Sequence, residues 1–305
     1  MEKIQGSLVA IITPMDDQLQ IDFEAFKTLL DFHMEKGTNG IVPCGTTGES
    51  ATMSHDEHRQ VMDFVMKHVK DRSPNFNRKL GEDLFIIPGT GSNSTTEAIE
   101  LTQHAKKVGA HAALVISPYY NKPTQKGIIK HFTMIGDAVD IPIILYNVPS
   151  RTGKNVEPST TIELSRHENI MGIKEASGNM GQILEILQHT RNTGFTVLSG
   201  DDGMVLPIIA AGGKGVISVA ANIVPGMMVE FTNALLQGNY ERGRDLHYKL
   251  QDLFNVEFIE TNPGPVKYMA GRIGFQCGDV RPPLVLPEAA NREKIDIVLQ
   301  ALNLI

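Results

Sequence analysis

The sequence has few of the features that mark secreted, membrane-bound or nucleic-acid-binding proteins. It contains two cysteines, Cys44 and Cys277, which are too few for a disulfide framework and indicate a reducing compartment. No apolar run approaches the ~20 residues that a membrane-spanning helix needs. Residues 1–6 lack the basic region and the cleavage site of a signal peptide. We therefore expect a cytoplasmic protein with no membrane partner.

An excess of positive charge is also missing. The 305 residues carry a formal net charge of −7, and the sequence pI is about 5.8, which argues against non-specific binding of nucleic acids. Hydrophobic residues make up 41% of the chain and charged residues 21%, as in an ordinary globular protein. The length allows one large α/β domain or two smaller domains, with a substantial core.

Eight short apolar runs alternate with helical patterns along the chain. Most runs are continuously apolar, as expected for parallel strands that are covered on both faces. The predicted strands are residues 7–12, 40–43, 84–88, 112–117, 142–147, 170–174, 195–199 and 215–219. The predicted helices include residues 22–36, 54–70, 94–108, 124–138, 158–166, 180–188 and 225–236. The Ser-x-x-Glu pattern predicts capping boxes at Ser54 and Ser94.

Eight strand–helix repeats in about 240 residues predict an α/β fold, a (β/α)8 TIM barrel. The alternative, an open doubly wound sheet, usually has a Gly-x-Gly-x-x-Gly turn after its first strand, and this chain has Ile-Thr-Pro-Met at residues 12–15. We expect a catalytic barrel over residues 1–238 and a small C-terminal helical domain over residues 239–305. The polar residues 71–83 precede the third strand and should lie at the amino ends of the strands, away from the catalytic face.

Lys174 ends the sixth predicted strand, within the run Ile-Met-Gly-Ile-Lys-Glu-Ala. Burial disfavours the charged form of a lysine, and an uncharged amine is a nucleophile that forms a Schiff base with a carbonyl compound. A structural lysine that pairs with a carboxylate is the alternative. Because the carboxyl ends of barrel strands form the catalytic face, the barrel prediction places Lys174 on that face.

Other polar residues follow strands at the same face. The turn at residues 44–50 offers backbone N–H groups and two threonine hydroxyls to a small anion, although a capped structural turn is the alternative. This turn lacks the Gly-Lys-Ser/Thr ending of a nucleotide-binding P-loop. Tyr119 and Tyr120 follow the fourth strand, and Tyr146 and Arg151 lie at the end of the fifth. An arginine suits a carboxylate, so the set predicts carbonyl chemistry on a 2-oxo acid.

Three segments resemble the dihydrodipicolinate (4-hydroxy-tetrahydrodipicolinate) synthase family, within the superfamily of pyruvate-dependent class I aldolases. They are Gly-Thr-Thr-Gly-Glu at 45–49, Tyr-Asn-Val-Pro-Ser-Arg-Thr-Gly at 146–153 and Gly-Ile-Lys-Glu-Ala-Ser-Gly at 172–178. The similarity extends from residue 6 to the Asn-Pro-Gly-Pro-Val-Lys segment at 262–267. The Ser-Arg-Thr-Gly ending favours the synthase over N-acetylneuraminate lyase and the sugar-acid aldolases.

The resemblance implies condensation of pyruvate with L-aspartate 4-semialdehyde, the first committed step of the diaminopimelate and lysine pathway. Lys174 would form an imine with C2 of pyruvate, and loss of a methyl proton would give an enamine that attacks the aldehyde. No cofactor is implied. The other implied roles fall to Tyr146 as proton donor and acceptor, to Thr46 and Tyr120 in its relay, to Thr47 and the backbone of Ile217 at the pyruvate with Gly200 nearby, and to Arg151 at the semialdehyde carboxylate.

The resemblance also implies a homo-oligomer and a regulatory site. Tyr120 would reach in from a neighbouring subunit, so the active site would require a dimer, alone or joined into a dimer of dimers. L-Lysine would inhibit from the dimer interface. The matching residues are Ser50, Ala51, His55, His58, Asn93, Glu97 and Tyr119. The two histidines lie three apart on one helix face, but without a further ligand at suitable spacing we predict no metal site.

Two other functions are left open by the sequence. A lyase or aldolase that acts on another 2-oxo acid, such as N-acetylneuraminate or a 2-keto-3-deoxy sugar acid, would share the fold and the Schiff-base lysine. A catalytically silent barrel that binds a small carboxylate is the alternative from a different class. The joint presence of Lys174, Tyr146, Thr46 and Tyr120 argues against a silent barrel.

Overall fold

The structure, a computed structural model, describes residues 4–305. Residues 1–3, on which part of the signal-peptide prediction rests, lie outside the described residues. All eight predicted strands are present, most of them shorter at their ends than expected. Their bounds are β1 Gly6–Ala10, β2 Gly40–Val42, β3 Phe85–Ile86, β4 Ala113–Ile116, β5 Ile143–Asn147, β6 Ile170–Glu175, β7 Thr196–Ser199 and β8 Gly215–Ser218.

Helices connect the strands and extend beyond β8. Their bounds are α1 Phe23–Glu35, α2 His55–Arg72, α3 Thr95–Val108, α4 Gln125–Ala138, α5 Pro149–Thr152, α6 Pro158–Leu164, α7 Met180–Thr190, α8 Val205–Ala210, α9 Pro225–Leu236, α10 Tyr240–Val256, α11 Gly264–Arg272 and α12 Ala289–Ala301. Short 3-10 turns lie at Ser50–Thr52, Ser73–Phe76, Asp202–Met204 and Ala220–Asn222. No helix within residues 4–305 is both long enough and apolar enough to cross a membrane.

The parallel strands form a closed barrel. Hydrogen-bonded neighbours follow the order β3-β2-β1-β8-β7-β6-β5-β4, and the outer two strands meet through the backbone of Leu114. Its N–H donates to the carbonyl of Pro88 at 2.9 Å, and its carbonyl accepts from the N–H of Thr90, also at 2.9 Å. A (β/α)8 TIM barrel is therefore confirmed, with its catalytic face at the carboxyl ends of the strands.

Alternate residues of the strands fill two different layers of the core. Leu8, Val42, Leu198 and Ile217 belong to one buried apolar cluster, which fills the barrel interior. Val9 and other residues of opposite orientation pack between the sheet and the surrounding helices. Because both faces of the strands are covered, the strands read as continuous apolar runs in the sequence.

The two predicted capping boxes have different outcomes. At the start of α2, the hydroxyl of Ser54 accepts from the N–H of Glu57 at 3.2 Å, and the Glu57 carboxylate accepts from the N–H of Ser54 at 2.8 Å. The box predicted at Ser94 is wrong, because this side chain makes no capping hydrogen bond. Ser92 takes its place, since its hydroxyl donates to Glu97 at 2.7 Å and accepts from the N–H of Ser94 at 3.0 Å.

The connection at residues 71–83 lies at the amino ends of the strands, as predicted. Arg78 donates to the carbonyl of Thr38 at 2.7 Å, two residues before β2 begins. The connection is less irregular than expected, because α2 continues to Arg72 and a 3-10 turn follows. Arg72 also pairs with Asp31 of α1 at 2.8 Å.

Residues beyond β8 are mostly helical, as expected. Helix α10 packs against α9 of the barrel and against α12. The predicted division at residues 238 and 239 falls between α9 and α10, and its status as a domain boundary stays a prediction.

Candidate active site

Lys174 lies near the carboxyl end of β6, beside Tyr146 of β5. The two residues are partners in the parallel register, and both side chains are buried, Lys174 with 5% of its surface exposed. The Lys174 Nζ lies 4.3 Å from the centroid of the Tyr146 ring. Among the described residues, no carboxylate forms an ion pair with this amine, whereas the buried Lys267 is paired with Glu49. The sequence's alternative of a lysine paired with a carboxylate therefore finds no support.

Gly200, which follows β7, gives the Lys174 side chain its space. A Cβ atom at this position would lie 3.0 Å from Lys174 Cε and 2.7 Å from the Cβ of Ala176. Contacts this short displace a neighbour, so a larger residue would push the lysine stem out of its place. The resemblance put Gly200 near the pyruvate, and the structure puts it against the lysine.

The turn after β2 carries Thr46 and Thr47 and is fastened on both sides. Thr13 donates its hydroxyl proton to the carbonyl of Gly48 at 2.8 Å. The amide of Asn262 donates to the hydroxyl of Thr47 at 3.0 Å, across 215 residues of sequence. Thr47 is buried, with 2% of its surface exposed. A turn held in this way keeps its hydroxyl groups in fixed positions before any ligand arrives.

A buried ion pair anchors Glu49 at the end of the same turn. The Lys267 Nζ lies 2.8 Å from Glu49 Oε1, and both side chains are fully buried. The N–H of Arg281 donates to Glu49 Oε2 at 2.8 Å. Burial lowers the pKa of Lys267, and the Glu49 carboxylate opposes this by favouring the charged ammonium. Glu49 has a φ of +60°, a conformation that non-glycine residues rarely adopt, and these contacts hold it there.

The side chain of Arg281 also contacts helix α2, through Glu57. Its guanidinium donates to the two oxygens of Glu57 at 2.6 and 3.0 Å, and this hydrogen bonding lowers the pKa of Glu57 to about 2. The segment between α11 and α12 thus contacts both the turn after β2 and the helix that follows it.

Lys174 faces a cavity of about 410 Å³ at the carboxyl ends of the strands. Part of the lining of this cavity comes from the segment between α10 and α11, including Phe258 and Asn262. Arg151 donates to the carbonyl of Asn262 at 3.2 Å, which ties α5 to that segment. The lining residues are Thr46, Thr47, Tyr146, Val148, Ser150, Arg151, Lys174, Ala176, Gly200, Asp201, Val219, Phe258, Glu260, Thr261 and Asn262.

Two residues expected at the site do not line this cavity. Ile217 is fully buried in β8 opposite Leu8, and Val219 lines the cavity two positions further on. Tyr120 is also absent from the lining, with 89% of its surface exposed and a φ of +70°.

A second cavity, of about 520 Å³, adjoins the first and shares Thr46, Tyr146 and Lys174 with it. Six of the seven residues predicted to bind an inhibitor line it: Ser50, Ala51, His55, His58, Glu97 and Tyr119. The seventh, Asn93, is not among its lining residues and instead accepts from the Asn121 side chain through its backbone carbonyl at 2.8 Å.

The polar groups of the second cavity differ in their freedom to bind a ligand. His58 is buried, with its Nε2 2.7 Å from the carbonyl oxygen of Gly89, and burial lowers its pKa. His55 is half exposed and lies 4.0 Å from Glu97. Within residues 4–305, no three His, Cys, Asp or Glu side chains form a group that could hold a metal ion.

Sequence reasoning missed a polar network on the outer side of β6. Glu175 accepts from the N–H of Ser177 at 2.7 Å, from Gln182 at 3.0 Å and from Asn147 at 3.2 Å. Because side chains alternate along a strand, Glu175 points outward where Lys174 points inward. The network joins β5, β6 and α7 behind the lysine. A glutamate directly after the lysine at a buried strand end was the available signal.

A TIM barrel with a buried lysine at the end of its sixth strand, facing a cavity shared with hydroxyl groups and an arginine, defines an aldolase-type barrel enzyme. The model of the dihydrodipicolinate synthetase family matches residues 3–302 of the chain. A protein of Methanoculleus marisnigri named 4-hydroxy-tetrahydrodipicolinate synthase is 48% identical, over 97% of this chain and 98% of its own. One of Geobacter metallireducens with the same name is also 48% identical, over 99% of both chains. The chain belongs to the dihydrodipicolinate synthetase family and is an enzyme.

Solved structures of dihydrodipicolinate synthases have the same fold. That of Aquifex aeolicus is 46% identical, with a TM-score of 0.92 over 98% of both chains. The Acinetobacter baumannii enzyme, complexed with pyruvate, is 40% identical, with a TM-score of 0.92 over 99% of this chain and all of its own. The Cyanidioschyzon merolae enzyme, with lysine bound, is 34% identical, with a TM-score of 0.93 over the whole of both chains.

Proposed function

We propose that this enzyme condenses pyruvate with L-aspartate 4-semialdehyde through a Schiff base on Lys174. The observation that carries the proposal is the buried Lys174 Nζ, which faces the cavity over the ring of Tyr146. The Acinetobacter baumannii relative is described in complex with pyruvate, and the closely similar sequences carry the synthase name. The sugar-acid lyase and the silent barrel find no comparable support.

The proposed reaction begins when the Lys174 amine attacks C2 of pyruvate and water leaves to give an imine. Loss of a methyl proton gives an enamine, whose carbon attacks the aldehyde carbon of the semialdehyde. Ring closure by the substrate's own amino group at C2 then expels Lys174 and yields 4-hydroxy-tetrahydrodipicolinate.

The residues expected at the site have matching roles in this proposal, including Tyr120 and Ile217, which do not line the cavity of their own subunit. Tyr146 transfers the protons, because its ring lies beside the lysine and its hydroxyl group is able to both donate and accept. Thr46 and Tyr120 extend the relay. Thr47 and the Ile217 backbone hold the pyruvate, and Arg151 holds the semialdehyde carboxylate.

Borohydride reduction in the presence of pyruvate tests the nucleophile. We expect one reduced pyruvate adduct on Lys174, none on the buried Lys267, and no adduct in Lys174→Ala. Lys249→Ala, which removes an exposed lysine of α10, is the control and should form the adduct like the wild type. Peptide mass spectrometry reads the result. An adduct elsewhere, or none in the wild type, would overturn the proposal.

Substrate choice needs a separate measurement. The enzyme is incubated with pyruvate and aspartate semialdehyde, and in parallel with N-acetylneuraminate or 2-keto-3-deoxygluconate alone. We expect condensation in the first reaction and no cleavage in the others. Cleavage of a sugar acid without condensation would assign the enzyme to the lyases.

We also propose that L-lysine inhibits the enzyme from the second cavity. A half-exposed carboxylate, Glu97, and the adjacent His55 supply polar groups that suit an amino acid, and the Cyanidioschyzon merolae relative is described with lysine bound. Glu97→Ala should weaken inhibition by about tenfold, as expected when a charged hydrogen bond is lost. Glu100→Ala, one turn further along α3, is the control. Inhibition constants equal to the wild type in both variants would contradict this site.

Three expectations from the sequence accompany these proposals. The enzyme works as a homo-oligomer, a dimer or a dimer of dimers, in which the partner supplies Tyr120. It acts in the cytoplasm, without nucleic acid or membrane partners. The helical residues 239–305 form a separate domain.

A further inference from the structure

Two acidic side chains are buried directly behind the cavity wall, and no step of the proposed reaction uses them. Asp202 belongs to the turn after β7 and is 1% exposed, and Glu257 follows the last residue of α10 and is 0% exposed. Helix α10 packs against that turn. The neighbours of this pair in sequence, Asp201 and Phe258, both line the cavity.

Asp202 fixes the backbone at the end of β8. Its Oδ2 accepts from the N–H of Val219 at 2.8 Å and from the N–H of Ala220 at 3.1 Å. Val219 is itself a lining residue of the cavity. The position of Asp202 therefore controls one wall of the site.

The other oxygen atoms of the pair lack donors within the described residues. Asp202 Oδ1 and both carboxyl oxygens of Glu257 are buried and receive no hydrogen bond from a side chain or a backbone N–H. The carboxyl groups of Glu257 and Asp202 are within hydrogen-bonding contact of each other. Two ionised carboxylates would repel at such contact, whereas one proton between them supplies the missing donor.

The charged groups that act on Glu257 agree with this arrangement. They are Asp202 and Asp201, both acidic, and no basic side chain of the described residues is among them. Burial, followed by the charge of Asp202, raises the pKa of Glu257 well above its ordinary value. Asp202 accepts two backbone N–H hydrogen bonds whereas Glu257 accepts none, so Glu257 is the member of the pair that carries the proton.

We propose that Glu257, in its protonated form, is a positioning residue: it donates a hydrogen bond to Asp202 and thereby fixes the Val219 wall of the substrate cavity. The protonated state does not depend on the reaction, while the effect on substrate binding rests on the proposed function. Because Phe258 follows Glu257 directly, the same bond ties the segment that covers the cavity to the end of β8.

Three variants of the full-length enzyme test the proposal. Glu257→Gln keeps the shape and supplies an amide donor in place of the carboxyl proton. Glu257→Leu removes the donor and keeps a similar volume. Glu293→Gln changes an exposed glutamate of α12 and is the matched control.

Infrared difference spectra detect the proton on Glu257 directly when they are recorded at about pH 7, where ordinary glutamates are ionised. The spectrum of wild type minus Glu257→Gln should contain the C=O band of a protonated carboxyl group. Wild type minus Glu293→Gln should contain the bands of an ionised carboxylate. A carboxylate signal for Glu257 would overturn the proton assignment, whatever reaction the enzyme catalyses.

Steady-state kinetics test the positioning role. Glu257→Leu should raise KM for pyruvate about tenfold, because a buried carboxylate loses a donor, with a smaller change in kcat. Glu257→Gln should stay within about twofold of the wild type. An unchanged KM in Glu257→Leu would overturn the positioning role. Failure of the wild type to form a pyruvate adduct would instead refute the proposed function and leave the infrared result intact.

Discussion

Lys174 and Glu175 are neighbours in β6, and their side chains lie on opposite faces of the strand. Lys174 points into the barrel towards the ring of Tyr146, while Glu175 accepts hydrogen bonds from Ser177 and Gln182 on the outer face. The carboxylate is held by these donors and is turned away from the amine. At this scale, strand alternation separates the Lys174 amine from the carboxylate beside it, which would otherwise pair with it.

Glu257 should make the stability of the enzyme depend on pH. Its pKa in the folded protein is raised above the ordinary 4.5, so the folded protein keeps a proton that the unfolded chain releases. The contribution of Glu257 to stability is therefore fully present below about pH 4.5 and is lost as the pH rises through the folded-state pKa, by up to about 1.4 kcal/mol per pH unit. Glu257→Gln removes this proton and should give a flatter decline in the free energy of unfolding above about pH 5.

Urea unfolding at several pH values measures this difference. Asp201 and Asp202, the acidic groups that face Glu257, are unchanged in the variant, so their own titration contributes to both proteins. Glu293→Gln should follow the wild-type curve. Parallel curves for wild type and Glu257→Gln would show that Glu257 is ionised in the folded protein.

Residue-level reasoning from the sequence predicted the location of a side chain well where that location depends on strand position. Lys174, Tyr146 and Thr47 line the cavity because each lies at or just after the carboxyl end of a barrel strand. Asn262 was missed as a contact of Thr47, because nothing local to either residue signals a bond across 215 residues of sequence.

At the scale of single elements, the residues directly before α2 and α3 allow two serine variants to be compared. The Ser54 hydroxyl caps α2 and the Ser94 hydroxyl does not cap α3, although each residue is the serine of a Ser-x-x-Glu pattern. Ser54→Ala should therefore lower the free energy of unfolding by about 1 kcal/mol. Ser94→Ala should leave it within about 0.5 kcal/mol of the wild type, as for surface substitutions without a specific contact. Equal losses in chemical denaturation would contradict this assignment.

The elements that sequence patterns predicted well are those with long or strongly apolar signals. All eight strands read as apolar runs because helices cover one face of each and the barrel interior covers the other. Helix α8, Val205–Ala210, was missed because it has only six residues and contains Pro207, which reads as a break. The Ser94 box failed because Ser92, a residue outside the pattern, competes for Glu97.

At the scale of the whole molecule, a second copy of the chain would explain the exposed side chain of Tyr120. If each active site combines Lys174 of one subunit with Tyr120 of its partner, two inactive variants should restore activity together. Lys174→Ala lacks the nucleophile and Tyr120→Phe lacks the hydroxyl, but a mixed dimer has one site with both groups. Refolding the two variants together should yield activity well above that of either alone.

The control for this experiment mixes Lys174→Ala with Tyr146→Phe. Both of these residues line the cavity of their own subunit. Each site of the mixed dimer therefore lacks either the Lys174 amine or the Tyr146 hydroxyl, unless the partner subunit supplies one of them. We expect no restoration in this pair. Restoration in neither mixture would argue that Tyr120 acts within its own chain or has no role in catalysis.

The anchors of the turn after β2 have a consequence for the order in which the enzyme matures during synthesis. Glu49 belongs to the first sixth of the chain, and its partners are Lys267 and the backbone of Arg281. A ribosome must therefore add residue 281 of 305 before the turn that carries Thr46 and Thr47 has all of its contacts. A nascent barrel whose eight strands are already paired would still lack the contacts that fix this turn at the carboxyl ends of the strands. We therefore expect activity only from chains that are translated nearly to completion. A stalled fragment would contain Lys174 but would lack the contacts that complete the surrounding site.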